Sequence, residues 1–481
     1  MEKYNIKQLS KQVFTDIKFW ILLYFIIQLF SVTHPPLEGA ENWRQTTGIM
    51  IYKNFYEVDA NIFYPRLDNA GENSGILGTE FCTLQYLSYI IARLLGFQDW
   101  YGRLINMIIS SLGIFFFYRI VLLFFNKKHA FLSAFLLLNS IWFMYNRKSM
   151  PDTYSVALAM ISIYYGIRYL HENNNRYLIT YFFIGLIGIL SKLPAILPFM
   201  IFLLIFFNKG IRLRTRFYFA LASSIILLIT VVWYFYWVPY LNSKYGFDHY
   251  FMGVSTTEGI KEIISNWKET LKVIYFSSYV GYIGFMIFLA GLFYSIKDKQ
   301  RKISYPLLVL SLGMIVFIIK SGWNFCSHPY YMIPFLPIMS VVGAYFLSEI
   351  KLKWAFYVLL IAFTGESIAN QQHELFIRDK ETYKLEFKNI TDKFSTRQDL
   401  FATNGGINPQ QLYFMNRKGW TFPTSDYNKP KLIPKIINLG CHYLFINKRK
   451  GNIELDFPII YNDSIVKVYD LREATKIITC N

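Results

Sequence analysis

Several features of common enzyme and metal-site classes are scarce in this sequence. The 481 residues include seven histidines without an HExxH motif, and the four cysteines lack the paired spacing of a metal site: Cys82, Cys326, Cys441 and Cys480. Isolated buried thiols at Cys82 and Cys326 are favoured over a disulfide between them. No internal repeat is visible, so the inverted-repeat signature of many secondary transporters is missing. No cleavable signal peptide is evident, because the first apolar run has no small-residue cleavage site.

Acidic residues are also scarce. Asp and Glu number 31 against 49 Lys and Arg, which gives a formal net charge of +18. The basic residues fall in short loops between apolar runs, and this placement is a signal of membrane topology. We therefore expect these basic residues to lie beside a membrane and not to bind nucleic acid.

Long apolar runs dominate the remainder. The chain is 54% hydrophobic, with 45 Phe and 37 Tyr, and its runs are long enough to span a hydrocarbon core. The pattern predicts an all-α polytopic protein of the cytoplasmic (inner) membrane with about eleven spans, its N-terminus cytoplasmic because of Lys3, Lys7, Lys11 and Lys18. The predicted spans are 18–33, 104–125, 130–145, 152–170, 177–190, 194–207, 217–240, 279–296, 303–320, 330–347 and 354–370.

Two polar regions interrupt this pattern. Residues 34–103 form a long first loop on the outer face, dense in acids, prolines and aromatics between His34 and Gly48. Within it, residues 79–96 favour an interfacial or re-entrant helix. We interpret the loop as the wall of an active site, the alternative being a folded loop without chemistry. Residues 371–481 contain β-prone runs at 443–448 and 465–471, which predict a small extracytoplasmic α/β domain after a membrane domain of residues 1–370.

Four polar features are expected on the outer side. They are Glu38 and Glu41 after the first span, Asp152 at the start of the fourth, Lys192 between the fifth and sixth, and a cluster at 323–331. Asp152 could instead be a helix N-cap and Lys192 could extend to the headgroups. Together they suggest a site, because ionisable groups at membrane depth are costly and usually functional.

The order of these features resembles that of the GT-C glycosyltransferases, in particular bacterial relatives of the protein O-mannosyltransferases and the lipid A aminoarabinose transferase. The matching features are Glu41 (or Glu38), Asp152 after Pro151, the turn Leu-Ser-Lys-Leu-Pro at 190–194, and Tyr-x-x-Pro-x-x-Pro at 331–337. The resemblance covers roughly residues 15–350 and implies a GT-C-like membrane domain.

Two departures from the family pattern are visible. The aminoarabinose-type enzymes have Lys-Pro-Pro in the first loop, where this chain has Thr79-Glu80-Phe81. A phosphate ligand is therefore missing there, and Arg44 or Arg66 could replace it. The familiar Asp-Glu pair of the first loop is also absent, which leaves Glu41.

The resemblance implies transfer of a sugar from a polyprenyl-phosphate carrier to an acceptor hydroxyl of a glycolipid, polysaccharide or protein. Glu41 and Asp152 are then the expected catalytic groups, and Lys192 a charge for the leaving phosphate. No cofactor is specified beyond the lipid-linked donor, and a divalent metal stays open. The residues expected to bind substrate are Lys192, Arg44, Glu38, Arg66, Tyr330 and Tyr331.

Two other functions fit parts of the sequence. A transporter or flippase of lipid-linked glycans would explain the many spans and the charges at membrane depth. It would not explain a long acidic outer loop followed by an outer domain. A ligase or polymerase of surface polysaccharide would place its main outer loop late in the chain, whereas here the largest such loop comes first.

Overall fold

The computed structural model describes residues 14–206, 210–248 and 253–472. The predictions that rest on Lys3, Lys7, Lys11 and Cys480 lie outside these residues. The chain divides into two compact units. We call the first, which comprises Met1–Thr33, Trp100–Trp233 and Phe251–Phe376, the helical unit. We call the second, which comprises His34–Asp99, Tyr234–Tyr250 and Ile377–Asn481, the sheet unit. The predicted division of the chain after residue 370 stays a prediction.

Helices form most of the described chain. In chain order the α-helices are α1 Ile17–Leu29, α2 Asn42–Glu57, α3 Thr83–Leu95, α4 Tyr101–Phe124, α5 Lys127–Leu138, α6 Trp142–Tyr145, α7 Pro151–Glu172, α8 Asn175–Ser191, α9 Phe202–Ile205, α10 Leu213–Val232, α11 Val238–Tyr245, α12 Thr256–Ser265, α13 Trp267–Lys272, α14 Ile283–Lys297, α15 Arg301–Ser321, α16 Trp323–Ser327, α17 Leu336–Glu349, α18 Lys353–Gln371, α19 Phe387–Thr391, α20 Gln410–Met415 and α21 Leu432–Asn438. Shorter-pitched 3-10 segments are Leu193–Ile201, Pro329–Phe335, Gln372–Leu375, Asp379–Glu386, Thr424–Asn428 and Lys448–Lys450, and π segments are Trp233–Trp237 and Val273–Ser277.

The helices of the helical unit follow the predicted spans closely. Three stretches are long and apolar enough to cross a membrane within the described residues: Tyr101–Phe124, Leu213–Tyr245 and Arg301–Ser321. Only 17% of the apolar window in the last of these is buried, and side chains such as Leu308 and Val316 are exposed, as lipid-facing side chains are. The count of eleven spans stays a prediction.

Helix α7 lies at the centre of the helical unit. Every residue from Pro151 to Tyr164 is buried, and a helix that is buried all round must pack against neighbours on every side. Pro151 starts the helix, because its missing N–H is one that a first turn leaves unsatisfied anyway. The helix ends at Asn173, which adopts the left-handed conformation at φ 54° and turns the chain into α8.

Two helices of this unit begin with a 3-10 segment rather than an α-helix. Leu193–Ile201 contains Pro198, and Pro329–Phe335 contains Pro334. Each proline lacks an N–H donor and disturbs regular α-helical bonding. Lys192 and Tyr330, two of the predicted site residues, lie at these irregular helix starts, where the backbone departs from the α-helix.

The sheet unit contains a five-stranded sheet of order β2-β1-β3-β5-β4. Strand β1 (Leu400–Thr403) pairs in parallel with β2 (Lys418–Thr421) and β3 (Cys441–Asn447), and β5 (Val466–Asp470) lies antiparallel between β3 and β4 (Ile459–Asn462). The predicted β-prone runs at 443–448 and 465–471 are confirmed as β3 and β5.

Residues of the long first loop belong to the same unit as this sheet. The Gly419 N–H of β2 donates to the Asp68 carbonyl at 2.9 Å, and the Gly71 N–H donates to the Gly419 carbonyl at 2.8 Å. The Arg378 N–H donates to the Leu37 carbonyl at 3.1 Å. The loop and the C-terminal segment therefore fold together, although they are far apart in the sequence.

Candidate active site

Asp152 lies in the first turn of α7 and is 5% exposed. The interpretation of Asp152 as the N-cap is wrong, because Pro151 begins the helix and Met150 is its N-cap residue. A carboxylate in a first turn interacts favourably with the positive end of the helix dipole.

Lys192 follows the last residue of α8 and provides the neighbouring charge. Its Nζ lies 3.6 Å from Asp152 Oδ1, and its side chain is 11% exposed. The alternative that this lysine extends to the headgroups is therefore wrong. Its charge also lies at the negative end of the α8 dipole, so each member of the pair matches the helix end that presents it.

Close packing of α7 against α8 brings these two helix ends together. A Cβ atom on Gly188 would lie 3.1 Å from the Cβ of Leu158 and 3.1 Å from the carbonyl oxygen of Ser155, so glycine permits the close approach. Ser162 Oγ donates a hydrogen bond across the pair to the Tyr181 carbonyl at 2.7 Å. The position of Lys192 beside Asp152 thus follows from helix packing.

Tyr330 and Tyr331 extend the cluster around this ion pair. Lys192 Nζ lies 5.8 Å from the Tyr330 ring centroid, within the range of a cation–π interaction. The Tyr331 ring stacks on His328 at 5.5 Å. The two tyrosines, Asp152, Lys192 and Pro334 line a cleft of about 10 Å³, enough for one water molecule.

Sequence reasoning missed Asn106, a buried amide of α4. Its Nδ2 donates to the carbonyls of Lys148 at 2.8 Å, Met150 at 3.1 Å and Tyr145 at 3.2 Å. Its Oδ1 accepts from Thr153 Oγ1 at 3.0 Å. Asn106 therefore fixes the turn that precedes Asp152. An amide within an otherwise apolar span was the signal in the sequence.

A second charged cluster that the sequence did not predict lies in the same turn. Lys148 is fully buried, and its Nζ lies 2.8 Å from Glu374 Oε2. The Arg147 guanidinium donates to the Glu374 carbonyl at 2.6 Å and to Ser31 Oγ at 3.1 Å. This cluster ties the turn before α7 to the segment after α18 and to the end of α1.

In the sheet unit, Glu41 and Glu38 lie just before α2. Glu41 is the N-cap residue and has φ 57°, a left-handed conformation that is unfavourable for a residue with a side chain. Glu38 is fully buried, and its Oε2 accepts a hydrogen bond from Gln45 Nε2 at 3.2 Å. Strain at a buried acidic turn marks it as a candidate functional position.

The two arginines proposed as phosphate ligands each have a carboxylate partner. Arg44 pairs with Glu80, which is the residue found in place of the family's Lys-Pro-Pro motif, and Thr79 Oγ1 donates to the same carboxylate at 2.9 Å. Arg66 pairs with Asp59 at 3.0 Å. The structure therefore places the two guanidinium groups in separate ion pairs.

Lys53 in α2 is a cation of the sheet unit whose pKa is lowered. Burial, reinforced by Arg397, lowers the pKa of Lys53 to about 8. Its ammonium donates to Asn416 Oδ1. Burial also raises the pKa of the neighbouring Asp68 carboxyl, which Asn54 Nδ2 hydrogen-bonds at 3.0 Å.

Three of the four cysteines lie in the described part of the chain. Cys82, Cys326 and Cys441 are free thiols. Cys82 is buried as predicted, but Cys326 is only half-buried because it lies on the short α16. Within residues 14–206, 210–248 and 253–472, no group of three or more His, Cys, Asp or Glu side chains could hold a metal ion.

Comparisons with known proteins give a family match over part of the chain. The sequence profile of the dolichyl-phosphate-mannose-protein mannosyltransferases matches residues 83–237. An uncharacterised protein of Aquifex aeolicus is 24% identical over 237 residues, which are 47% of this chain and 44% of the relative. The matched segment thus spans less than half of that relative's length.

Solved structures share the fold over most of the chain. ArnT from Cupriavidus metallidurans in the apo state superposes with a TM-score of 0.62 and 12% identity, over 94% of this chain and 97% of that one. The same protein bound to undecaprenyl phosphate superposes with a TM-score of 0.60 and 13% identity. The third structure is the oligosaccharyltransferase AglB from Archaeoglobus fulgidus, in complex with an inhibitory peptide and a dolichol-phosphate. It superposes with a TM-score of 0.55 and 14% identity, over 89% of this chain and 69% of that one.

The resemblance read from the motifs is therefore confirmed. It predicted an integral membrane fold of mostly helical character, and the matched structures have that fold. The chain has the GT-C fold, and its residues 83–237 are similar to the dolichyl-phosphate-mannose-protein mannosyltransferases.

Proposed function

We propose that this protein is a membrane glycosyltransferase that moves a sugar from a polyprenyl-phosphate carrier to an acceptor hydroxyl on the outer face of the cytoplasmic membrane. The main supporting observation is the buried Asp152–Lys192 pair, 3.6 Å apart at two adjoining helix ends. The family match supports the reaction class. The solved complexes of ArnT with undecaprenyl phosphate and of AglB with dolichol-phosphate support the carrier class.

Lys192 is the proposed ligand of the leaving phosphate. As the bond between the anomeric carbon and the phosphate oxygen breaks, charge develops on that oxygen, and a fixed cation stabilises it. The cleft beside Lys192 is too small for a sugar, so the donor lies against its rim or widens it. The phosphate leaves as the polyprenyl monophosphate, and the acceptor oxygen forms the new bond with inversion.

Asp152 is the first candidate for the general base. In the resting protein its negative charge is compensated by Lys192 at 3.6 Å. When a donor phosphate attracts the lysine, the carboxylate loses part of that compensation and becomes a better acceptor for the proton of the acceptor hydroxyl. The pair would thus link donor binding to acceptor activation.

Glu41, which belongs to the sheet unit, is the second candidate for the general base. Its left-handed backbone at φ 57° positions an acidic side chain at the start of α2, and such strain is retained mainly where it serves function. Glu38, Arg44 and Arg66 are proposed as substrate contacts nearby in sequence. A guanidinium has five N–H donors, so Arg44 can bind a phosphate while it retains Glu80.

The test is cleavage of a defined donor. The purified full chain is given a radiolabelled synthetic polyprenyl-phosphate sugar together with acceptor membranes, and the release of polyprenyl monophosphate is measured. We expect acceptor-dependent release that Lys192→Ala reduces by about 10²–10³-fold. Lys320→Ala is the matched control, because it removes one positive charge from an exposed position at the end of α15.

Two outcomes would contradict the proposal. Movement of the intact donor across liposomes without cleavage would make the protein a flippase. Equal release of polyprenyl monophosphate by wild type and Lys192→Ala would show that Lys192 does not act on the leaving phosphate. If cleavage is observed, mass spectrometry of the products with lipid, polysaccharide and protein acceptors identifies the acceptor class.

A further inference from the structure

The helical unit contains a groove to which the proposed reaction assigns no ligand. It has a volume of about 410 Å³ and is formed by α4, α7, α9, α15, α17 and the segments Leu193–Ile201 and Pro329–Phe335. Most of its lining is apolar, for example Phe117, Ile163, Ile201, Leu204, Leu310 and Val341. This volume and composition match a binding site for an apolar chain.

Cationic and titratable side chains line the same groove. They are His171 in the last turn of α7 and Arg301 and Lys302 in the first turn of α15. Lys302 Nζ also donates to the Phe124 carbonyl at 3.5 Å, at the C-terminal end of α4. The basic residues therefore lie where three helices end or begin, and we call this part of the groove the basic mouth.

The basic mouth lies far from the Asp152–Lys192 pair. Asp152 and His171 belong to the same helix and are separated by 19 residues (171 − 152). At about 1.5 Å per residue this is a distance of roughly 28 Å, close to the thickness of the hydrocarbon core. One phosphate cannot contact both places, so an anion at the basic mouth would be distinct from a donor phosphate at Lys192.

Acids close to the basic mouth are already engaged with other groups. The Glu172 carboxylate accepts hydrogen bonds from Arg168, and Asp298 Oδ2 accepts from the Tyr345 hydroxyl at 2.8 Å. Glu172 and Asp298 are the acids nearest in sequence to His171 and Arg301. The Glu172 charge is compensated by Arg168, so Arg301 and Lys302 outnumber the remaining acid of this pair, Asp298.

We propose that this groove binds an anionic phospholipid, with an acyl chain along the apolar lining and the phosphate against Arg301 and Lys302. The predicted topology places these two residues, at the start of the ninth span, on the cytoplasmic side. Basic pockets between membrane helices on that side are suited to anionic headgroups. A zwitterionic lipid offers the same acyl chain but no net charge, so charge complementarity selects the anionic one.

The test measures lipid retention by the intact protein. The purified full chain is transferred from micelles with equal amounts of phosphatidylglycerol and phosphatidylcholine into native mass spectrometry, and the retained lipids are counted. We expect retention of phosphatidylglycerol in preference to phosphatidylcholine. The double variant Arg301→Gln/Lys302→Gln should bind phosphatidylglycerol about tenfold more weakly or worse.

Two further variants separate the groove from general surface charge. Lys351→Gln/Lys353→Gln removes the same charge from exposed residues outside the groove and should retain the wild-type preference. Leu204→Trp fills the groove at a residue that is 36% exposed, and should lower phosphatidylglycerol retention with both basic residues intact.

Two results would overturn the proposal. One is an unchanged lipid preference in Arg301→Gln/Lys302→Gln. The other is a Leu204→Trp variant that retains phosphatidylglycerol but loses polyprenyl phosphate, because the groove would then hold the donor's tail.

Discussion

The Asp152–Lys192 pair allows stability and catalysis to be separated in one experiment. At 3.6 Å, and with an effective dielectric constant of about 20, the attraction between the two charges is about 4–5 kcal/mol. Removing one partner of a buried pair typically costs about 3–5 kcal/mol, because the other charge stays buried. We therefore expect Lys192→Met to lose about 3–5 kcal/mol of unfolding free energy, and Asp152→Asn a similar amount.

The double variant Asp152→Asn/Lys192→Met should behave differently in the two measurements. With both charges of the pair gone, neither partner is left buried without its counter-ion, so the unfolding free energy should return close to that of wild type. Donor cleavage should stay at least about 10²-fold below wild type, because neither the phosphate ligand nor the base is restored.

The assays are unfolding in mixed detergent micelles with increasing dodecyl sulfate, and release of polyprenyl monophosphate by the same preparations. The comparison uses one sample of each of the four proteins, so differences in purification affect both readouts alike. If the double variant regains turnover together with stability, the pair is structural and the reasoning about catalysis is refuted.

Three further predictions test other parts of the molecule. Glu41→Gln should reduce donor cleavage by about 10²-fold, and full activity in this variant would exclude Glu41 as the base. Glu41→Gly should reduce cleavage too, but it should also relieve the left-handed strain and raise the melting temperature. For Lys53 the folded pKa of about 8 lies below the usual lysine value of about 10.5. The unfolded chain therefore binds more protons, and the free energy of unfolding should rise by about 1 kcal/mol between pH 7 and pH 9. Lys53→Met should lose this rise, and a variant with the wild-type pH profile would contradict the burial argument. Reporter fusions at Lys299 and Asn428 should report the cytoplasmic and outer side, respectively; matching reports would refute the topology.

The helical part of the fold could be predicted because its signal is local. Apolar runs define helices by length and composition, and α4, α7, α8 and α15 begin and end within about four residues of the predicted spans. The start of α7 was misjudged by one position, because Pro151 is itself the first helical residue. The pairing of Asp152 with Lys192 is observed, whereas their catalytic roles stay predictions.

The contacts of the long loop could not be predicted, since no periodicity relates its partners. Arg44 and Glu80 are 36 residues apart in the sequence, and each also fits the composition of a solvated loop. The hydrogen bonds that Gly419 makes with Asp68 and Gly71 join segments that the sequence suggested were separate domains. Such pairings depend on the tertiary path of the chain, which local propensity does not encode.

The buried Lys148–Glu374 ion pair has a consequence for how the protein is made. The two residues are 226 positions apart, so the lysine is synthesised long before its carboxylate partner. Until Glu374 has left the ribosome, this pair cannot form, and burial of the lysine charge without it would cost several kcal/mol. The turn before α7, and with it the position of Asp152, can therefore reach its final packing only after α18 has been inserted. Maturation of the proposed active site is thus coupled to the completion of membrane insertion.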